Sequence, residues 1–561
     1  PPPDEVFTRI IQRVGKAAKA AKRVEVPFDR VAPEEGKWWQ GSTANEVVAP
    51  LGPAGAKKIQ NLMLGKGTSQ HCLIAGKTGS GKSTLMHAMI TSLALQYSPN
   101  EIQFYLIDFK KGVEFKLYDH YKLPHARVIA IESEREFGLS VMEQLDRELK
   151  RRGDLFRELS VQNVAGFRST GHPDPMPRIL LIIDEFQEIF VEDDKIAQDA
   201  ALILDRLVRQ GRAFGMHVLL GSQTLGGSYS LPRATMGQMA IRIALQCNEA
   251  DSSLILSEDN TAARLLTRPG EAIYNDANGM IEGNNPFQVV FLTDEQREQY
   301  LGALRKLADR RTDIPHLDRI VFDGNQAADP ALNPLLTELL AAGTVHGSEL
   351  VAPLAWMGDA IAIKDPTAAI FRRQGGANML IVGQREDLGA AILAMSMVSL
   401  AAGLDPYPNG ALGKPGRFVL LEPAIAEERP DILISKAAAH LPHEVEVVGR
   451  LGVADAVERL AAEVKRRLEE QVLDGEAVFV IVRDLGRFRE LRKNDGDFGF
   501  SFGGDKKASP ADNFLTLLKD GPPVGIHMVI WCDSLTNLQR TFDRNAIKEF
   551  ELRVLFQMSG N

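Results

Sequence analysis

Cysteine is scarce: the chain of 561 residues holds three, Cys72, Cys247 and Cys532. Each lies in an apolar run and none has metal-ligand spacing, which excludes a disulfide framework and a zinc site. They read as small buried hydrophobes in a reducing compartment. Long apolar runs are missing too, and no signal peptide stands at the start, so a cytoplasmic location is expected for this stretch. Pro1-Pro2-Pro3 opens the chain without an initiating Met. It is therefore expected to be a piece of a longer protein, with further domains upstream and the full-length protein free to be membrane-associated. An excess of positive charge is also lacking: 65 Lys and Arg against 74 Asp and Glu leave −9. That argues against a surface that coats nucleic acid indiscriminately, but not against a narrow basic channel. The length exceeds what one core organises, so at least two domains are expected.

The most informative stretch is residues 71–84, HCLIAGKTGSGKST. Cys72 to Ala75 reads as a buried strand, and Thr84 to Leu95 carries apolar residues at helical spacing. A glycine-rich loop between strand and helix is the context of a phosphate-binding loop. Gly76, Lys77, Thr78, Gly79, Ser80, Gly81, Lys82, Ser83 and Thr84 are its expected nucleotide-binding residues. The glycines turn backbone N–H groups inward, Lys82 reaches the β- and γ-phosphates of ATP, and the Ser83 hydroxyl sits on Mg²⁺.

Two further strands end in polar residues, as strands do where a parallel sheet meets its ligand. Ile102 to Ile107 runs into Asp108 and Lys110, and Arg178 to Ile183 runs into Asp184-Glu185. Phosphoryl transfer needs charge neutralisation and a positioned water more than covalent chemistry, so Asp184 is expected to hold Mg²⁺ and Glu185 to polarise the water. His217 to Gly221 is a fourth strand, with Gln223 at its tip as a candidate γ-phosphate sensor. Ile241 to Gln246 is a fifth, carrying Arg242 at an otherwise apolar position. A buried arginine is costly unless paired, so Arg242 is a candidate arginine finger on a neighbouring subunit's nucleotide, with Arg212 the competitor.

Around these, residues 4–24 read as a basic helix and linker, and Pro27 to Gly41 as an extended segment. Val47 to Gly65 reads as edge strands leading into the loop strand. Residues 135–159 form a long charged helix, 203–214 a helix rich in Leu and Arg, and 270–276 with 287–292 a closing hairpin. Residues 293–318 read as a helix and linker.

The second half repeats the first in altered form. Residues 379–390, MLIVGQREDLGA, keep the strand and first glycine. Aligning Gly383 with Gly76 without gaps puts Leu388, Gly389 and Ala390 at the places of Gly81, Lys82 and Ser83. The lysine is gone, and Glu386 and Asp387 bring negative charge. Val478 to Asp484 continues into Leu485 with no glutamate. Gly525-Ile526-His527 echoes Gly215-Met216-His217, Asp533 stands as far beyond Gly525 as Gln223 beyond Gly215, and Arg553 falls near the place of Arg242.

Taken in order, IAGKTGSGKS, YLIDFKKG, LLIIDEF and RQGRAFGMHVLLGSQT resemble the FtsK/SpoIIIE family of motor ATPases, within the group that includes HerA. The resemblance covers most of residues 45–292; the second half matches in outline. It implies an α/β chain of two tandem RecA-like P-loop NTPase domains with mostly parallel sheets. The expected division is 1–44 linker, 45–318 active ATPase and 319–561 a degenerate, shortened copy. It also implies ATP and Mg²⁺ as cofactors and a hexameric ring. DNA is the expected polymer, with Lys110, Lys111 and Arg233 as pore residues. Protein export of the type VII kind, the EccC/EssC branch, is the alternative, and a nucleotide-gated assembly scaffold a third reading.

Overall fold

The computed structural model describes residues 6, 8–13, 25–110, 114–131, 134–225, 233–314, 319–324, 328–341, 352–407, 414–423, 433–493 and 508–557. It forms two compact units, Pro1–Gln326 with Ile361–Ile363 and Ala327–Ala360 with Lys364–Asn561.

In the first unit a nine-stranded sheet is built from β1 (Cys72–Ala75), β2 (Ile102–Asp108), β3 (Ala126–Ile131), β4 (Arg178–Asp184), β5 (Met216–Ser222), β6 (Ile241–Leu245), β7 (Glu271–Asn275), β8 (Asn285–Gln288) and β9 (Ile320–Asp323), in the order β8-β7-β6-β1-β5-β4-β2-β3-β9. All neighbours are parallel except β6-β7 and β7-β8. The central strands bury every residue, which is why β4 reads RILLIID and β5 MHVLLGS without alternation. Successive side chains still part to opposite faces. Ile74, Leu106, Ile182 and Leu219 pack under helix α1 (Lys82–Gln96), with its Leu85, Met89 and Leu93. Leu73, Ile107, Ile183 and Leu220 face the other way. They meet Phe137, Leu145 and Leu149 of α2 (Arg135–Glu158) and Leu204 and Leu207 of α3 (Lys195–Gln210).

Two expectations change at the periphery. The stretch 47–65 forms its own antiparallel pair, Val47–Pro53 with Ile59–Leu64, rather than edges of the main sheet. Of the closing hairpin, Glu271–Asn275 does pair with Asn285–Gln288, but Val290–Phe291 turns away to pair in parallel with Val26–Pro27. Residues 8–13 of the basic amino-terminal segment are helical and exposed; most of its remainder, 14–24, lies outside the described residues, as do 315–318 of the linker.

The second unit has a wholly parallel six-stranded sheet. Its strands are β10 (Met379–Val382), β11 (Gly416–Leu421), β12 (Val445–Val448), β13 (Ala477–Val482), β14 (Ile526–Cys532) and β15 (Leu552–Leu555), ordered β12-β11-β13-β14-β10-β15. That is the order β3-β2-β4-β5-β1-β6 of the first unit, strand for strand. The register repeats as well: Leu180 lies opposite His217 across β4-β5, and Phe479 opposite His527 across β13-β14. Gly215 and Gly525, with φ of 68° and 80°, turn the chain into the equivalent strands through a conformation that favours glycine. A buried arginine braces each copy. Arg152 on α2 pairs with Glu148 and donates to the carbonyls of Pro177 and Phe214. Arg467 on α5 (Val453–Glu469) pairs with Glu463 and donates to those of Glu476 and Val524.

Candidate active site

The carboxyl ends of β1, β2, β4 and β5 bring the loop and the carboxylates to one edge of the first sheet. The loop is held from both sides: Gly76 N–H donates to Ser222 O at 3.2 Å, Lys77 N–H to Gln246 O at 2.9 Å, and Gly270 N–H to Ser80 O at 2.8 Å. Gly79 and Gly81 have φ of 80° and 103°, and a Cβ on Gly76 would stand 2.5 Å from Ser80 Oγ. The glycines are therefore demanded by backbone geometry and close approach, as the sequence motif implies.

Lys82 begins α1 and is buried. Its ammonium donates to Asp184 Oδ1 and, at 2.8 Å, to Glu185 Oε1. Glu185 is itself 2 % exposed and sits in the left-handed region at φ 53°, ψ 47°. A non-glycine residue held there costs on the order of 1 kcal/mol or more, which the surrounding bonds must overcome. Its second oxygen, Oε2, accepts from Gln187 Nε2 at 2.7 Å and from the Gln223 backbone N–H at 3.1 Å, and Ser222 Oγ donates to Gln187 Oε1 at 2.8 Å. Thr78 Oγ1 donates to Gln223 Oε1 at 3.0 Å, so the candidate sensor already touches the loop.

The electrostatics follow from burial against pairing. Burial pushes Asp108 up to about 7, against the pull of the Lys110 N–H and with a further push from Asp184. Burial also raises Asp184, with Lys82 opposing. It works to raise Glu185 too, but there the Lys82 ammonium and its hydrogen bond prevail and hold the carboxyl low.

Ser83 Oγ donates to Glu114 Oε1 at 2.9 Å. The other oxygen of Glu114 meets His87 Nε2 at 3.0 Å, and His87 Nδ1 meets the Tyr118 hydroxyl at 2.7 Å. Sequence reasoning missed Glu114, His87 and Gln187. The signal for His87 was its place one helical turn beyond Ser83, hidden in a run read only for its apolar residues. Glu114 and Gln187 gave no pattern, because their roles come from chain folding back across the sheet.

The donors here suit a Mg²⁺·nucleotide. Ser83, Asp184 and Asp108 offer oxygen only, as a hard cation prefers. Among the described residues, the buried Asp108 Oδ2 and Ser80 Oγ have no protein partner.

The other candidates are spread more widely. Lys110 is exposed, its backbone N–H donating to Asp108 Oδ1. Lys111 and the side chain of Arg233 lie outside the described residues; Arg233 begins a short helix. Arg242 is half-buried, its guanidinium donating to the carbonyls of Ile255 at 3.0 Å and Leu256 at 2.7 Å within its own chain. Arg212 is exposed.

The corresponding edge of the second unit is rebuilt. Gly383, Gln384 and Arg385 span what takes Gly76 to Gly81 in the first unit, and α4 (Glu386–Ala402) starts at once. The ungapped alignment is therefore corrected: Glu386, not Gly389, stands at the helix start where Lys82 stands. Strand register puts Arg483 at the place of Asp184, Asp484 at that of Glu185, and Glu422 at that of Asp108. Asp484 even keeps the left-handed backbone, φ 57°. The Lys82–Asp184 pair thus recurs with its charges exchanged. Arg483 Nη1 donates to Glu386 at 3.0 Å, and its Nε to both oxygens of Glu422 at 2.9 and 2.8 Å.

Known proteins place this architecture. Residues 33–227 match the model of the FtsK/SpoIIIE family. The DNA translocase FtsK of Streptococcus agalactiae serotype V is 27% identical over 301 residues, 51% of this chain and 35% of that protein. The type VII secretion system protein EssC of Staphylococcus aureus is 30% identical over 250 residues, 44% of this chain and 16% of that protein. The chain thus spans well under half the length of these relatives. Among solved structures, the cytoplasmic domain of the Thermomonospora curvata type VII secretion ATPase EccC has a TM-score of 0.65 and 21% identity, covering 96% of this chain and 63% of its own. ATPases 2 and 3 of the same protein, in complex with a signal sequence peptide, give 0.57 and 17%, covering 95% and 92%. At those identities they show the shared fold, tandem α/β cores with mostly parallel sheets. The loop, the carboxylate pair and the matched residues together support a P-loop ATPase of the FtsK/SpoIIIE kind, the family match lying in the first unit.

Proposed function

We propose that the first unit hydrolyses ATP with Mg²⁺ and that the second neither binds nor hydrolyses it. The arrangement of Lys82 against Asp184 and Glu185 carries this reading. Mg²⁺, when bound, neutralises charge on the β- and γ-phosphates. Lys82 exchanges its carboxylate partners for phosphate oxygens, leaving Asp184 and the Ser83 hydroxyl to hold the metal. Glu185, released from the ammonium but still held by Gln187 and the Gln223 N–H, positions the attacking water. Gln223 links that water to the loop through Thr78.

For charge stabilisation from a neighbouring subunit we favour Arg212 over Arg242, since Arg212 is exposed while Arg242 is engaged by carbonyls of its own chain. A finger supplied in this way requires a ring or chain of subunits. Turnover should rise more than linearly with protein concentration, and mixing Arg212→Ala with Lys82→Ala chains should restore part of the activity.

The motor moves a polymer. The motifs of the first unit taken alone point to DNA, and the FtsK relatives, matched over the longer span, support that. The second unit favours an exported protein. A ring of identical pumps needs no unpowered core in every chain, whereas a docking platform for cargo does not need to hydrolyse ATP. We place protein export first and DNA second. The test is the ATPase rate with and without linear duplex DNA across ionic strength. A rate indifferent to DNA at low salt supports export. DNA stimulation that collapses as salt rises, as phosphate contacts require, would restore DNA to first place.

A further inference from the structure

We propose that Glu114, braced by His87, is a positioning residue for the Mg²⁺ ligand Ser83. The inference rests on the ATP·Mg²⁺ reading of the same site and adds a residue outside the glycine-rich loop and the Asp184-Glu185 pair.

A serine hydroxyl ligates a cation through an oxygen lone pair, so its proton must point elsewhere. In this chain the proton has a fixed destination, because Ser83 Oγ–H donates to Glu114 Oε1 at 2.9 Å. Giving the proton to a carboxylate leaves the lone pairs free and makes the oxygen a better donor to a hard cation, as partners of metal ligands do elsewhere. Glu114 would be a loose arm by itself, since its side chain is 39% exposed. His87 removes that freedom. It lies one turn beyond Ser83 on the same helix, its ring is 6% exposed, and Nε2–H donates to Glu114 Oε2 at 3.0 Å. The carboxylate can only accept, which puts the proton of a neutral ring on Nε2, and the fully buried Tyr118 hydroxyl meets the other ring nitrogen at 2.7 Å. In the chain Tyr118–His87–Glu114–Ser83 the donors converge on the Glu114 carboxylate, His87 from the buried side and Ser83 from the side of the metal. Burial disfavours the imidazolium form of His87, consistent with a ring that donates at one nitrogen and accepts at the other.

The test is binding of a fluorescent ATP analogue titrated with MgCl₂, compared with binding in EDTA. In Glu114→Gln the Mg²⁺ concentration giving half the metal-dependent increase in affinity should rise by roughly 10- to 100-fold, the range for loss of a partner to a metal ligand. Metal-free binding should be unchanged. His87→Gln, which leaves Glu114 in place but unbraced, should give a smaller rise in the same direction. An unchanged Mg²⁺ requirement in both variants, or equal weakening with and without metal, would overturn the role of Glu114 alone. Wild-type binding that gains nothing from Mg²⁺ would overturn the ATP·Mg²⁺ reading and this inference with it.

Discussion

The two units place the same strands in the same order and register, yet meet the problem of buried charge at the sheet edge in opposite ways. In the first, a cation on the helix start faces carboxylates on the strand tips: Lys82 against Asp184 and Glu185. In the second, the anion is on the helix and the cation on the strand: Glu386 against Arg483, with Glu422 closing a triad. On the proposed reading, a site of the first kind exchanges its carboxylate partners for phosphate when a nucleotide arrives. A site of the second presents a carboxylate where phosphates would lie and has lost half its loop. Both units thus satisfy buried charge at this edge and differ in which residue carries which sign.

The sharpest way to break the comparison is Lys82→Ala. If the second unit is inactive, as proposed, this should abolish hydrolysis by the whole chain to the limit of a coupled-enzyme assay; residual turnover of even a tenth would show that the second unit works. Next in size is Glu185→Gln. Turnover should fall by roughly a hundredfold or more, as expected when a positioned base is lost, while nucleotide affinity stays near wild type. Unimpaired turnover would remove Glu185 from the mechanism.

The second unit can be probed through stability. Arg483→Met takes the cation from Glu422, 6 % exposed, whereas Glu386 at the helix start is exposed to water. Breaking such a buried pair costs about 3–5 kcal/mol, so the melting of the second unit should drop while ATPase activity per folded chain holds. Glu386→Lys with Arg483→Asp restores the pair in the sense of the first unit and should recover part of that loss. It should not create nucleotide binding, because the loop remains short. If the double variant binds ATP, charge and not loop length is the barrier.

The smallest effect is one of pH. Burial raises Asp108 from the usual carboxylate range up to about 7 in the folded chain. A raised carboxyl stabilises the fold below its unfolded pKa, and that contribution is lost as pH rises through the folded value. Without metal or nucleotide, the melting temperature of the first unit should therefore fall between about pH 4 and 7, and Asp108→Asn should flatten the slope. An unchanged slope would assign the dependence to another group.

The sequence shows the first site well and the second poorly for one physical reason. Glycines at φ 80° and 103°, a lysine at a helix start and carboxylates on buried strand tips are local demands, so Gly79, Gly81, Lys82, Asp184 and Glu185 can be read in line. The copy keeps its strands, legible as apolar runs, but the deletion between Val382 and Glu386 is visible only once strand register fixes both ends. The exchanged pair is then hidden from a residue-by-residue alignment, as is the match of Asp484 to Glu185. Glu114, Gln187 and the carbonyl partners of Arg242 arise from chain crossings that no periodicity announces.

The most direct test of the account is calorimetric titration of the whole chain with a slowly hydrolysed ATP analogue and Mg²⁺. The exchanged charges predict saturation at one nucleotide per chain, falling to none in Lys82→Ala. Two sites per chain, or one site surviving in Lys82→Ala, would contradict it.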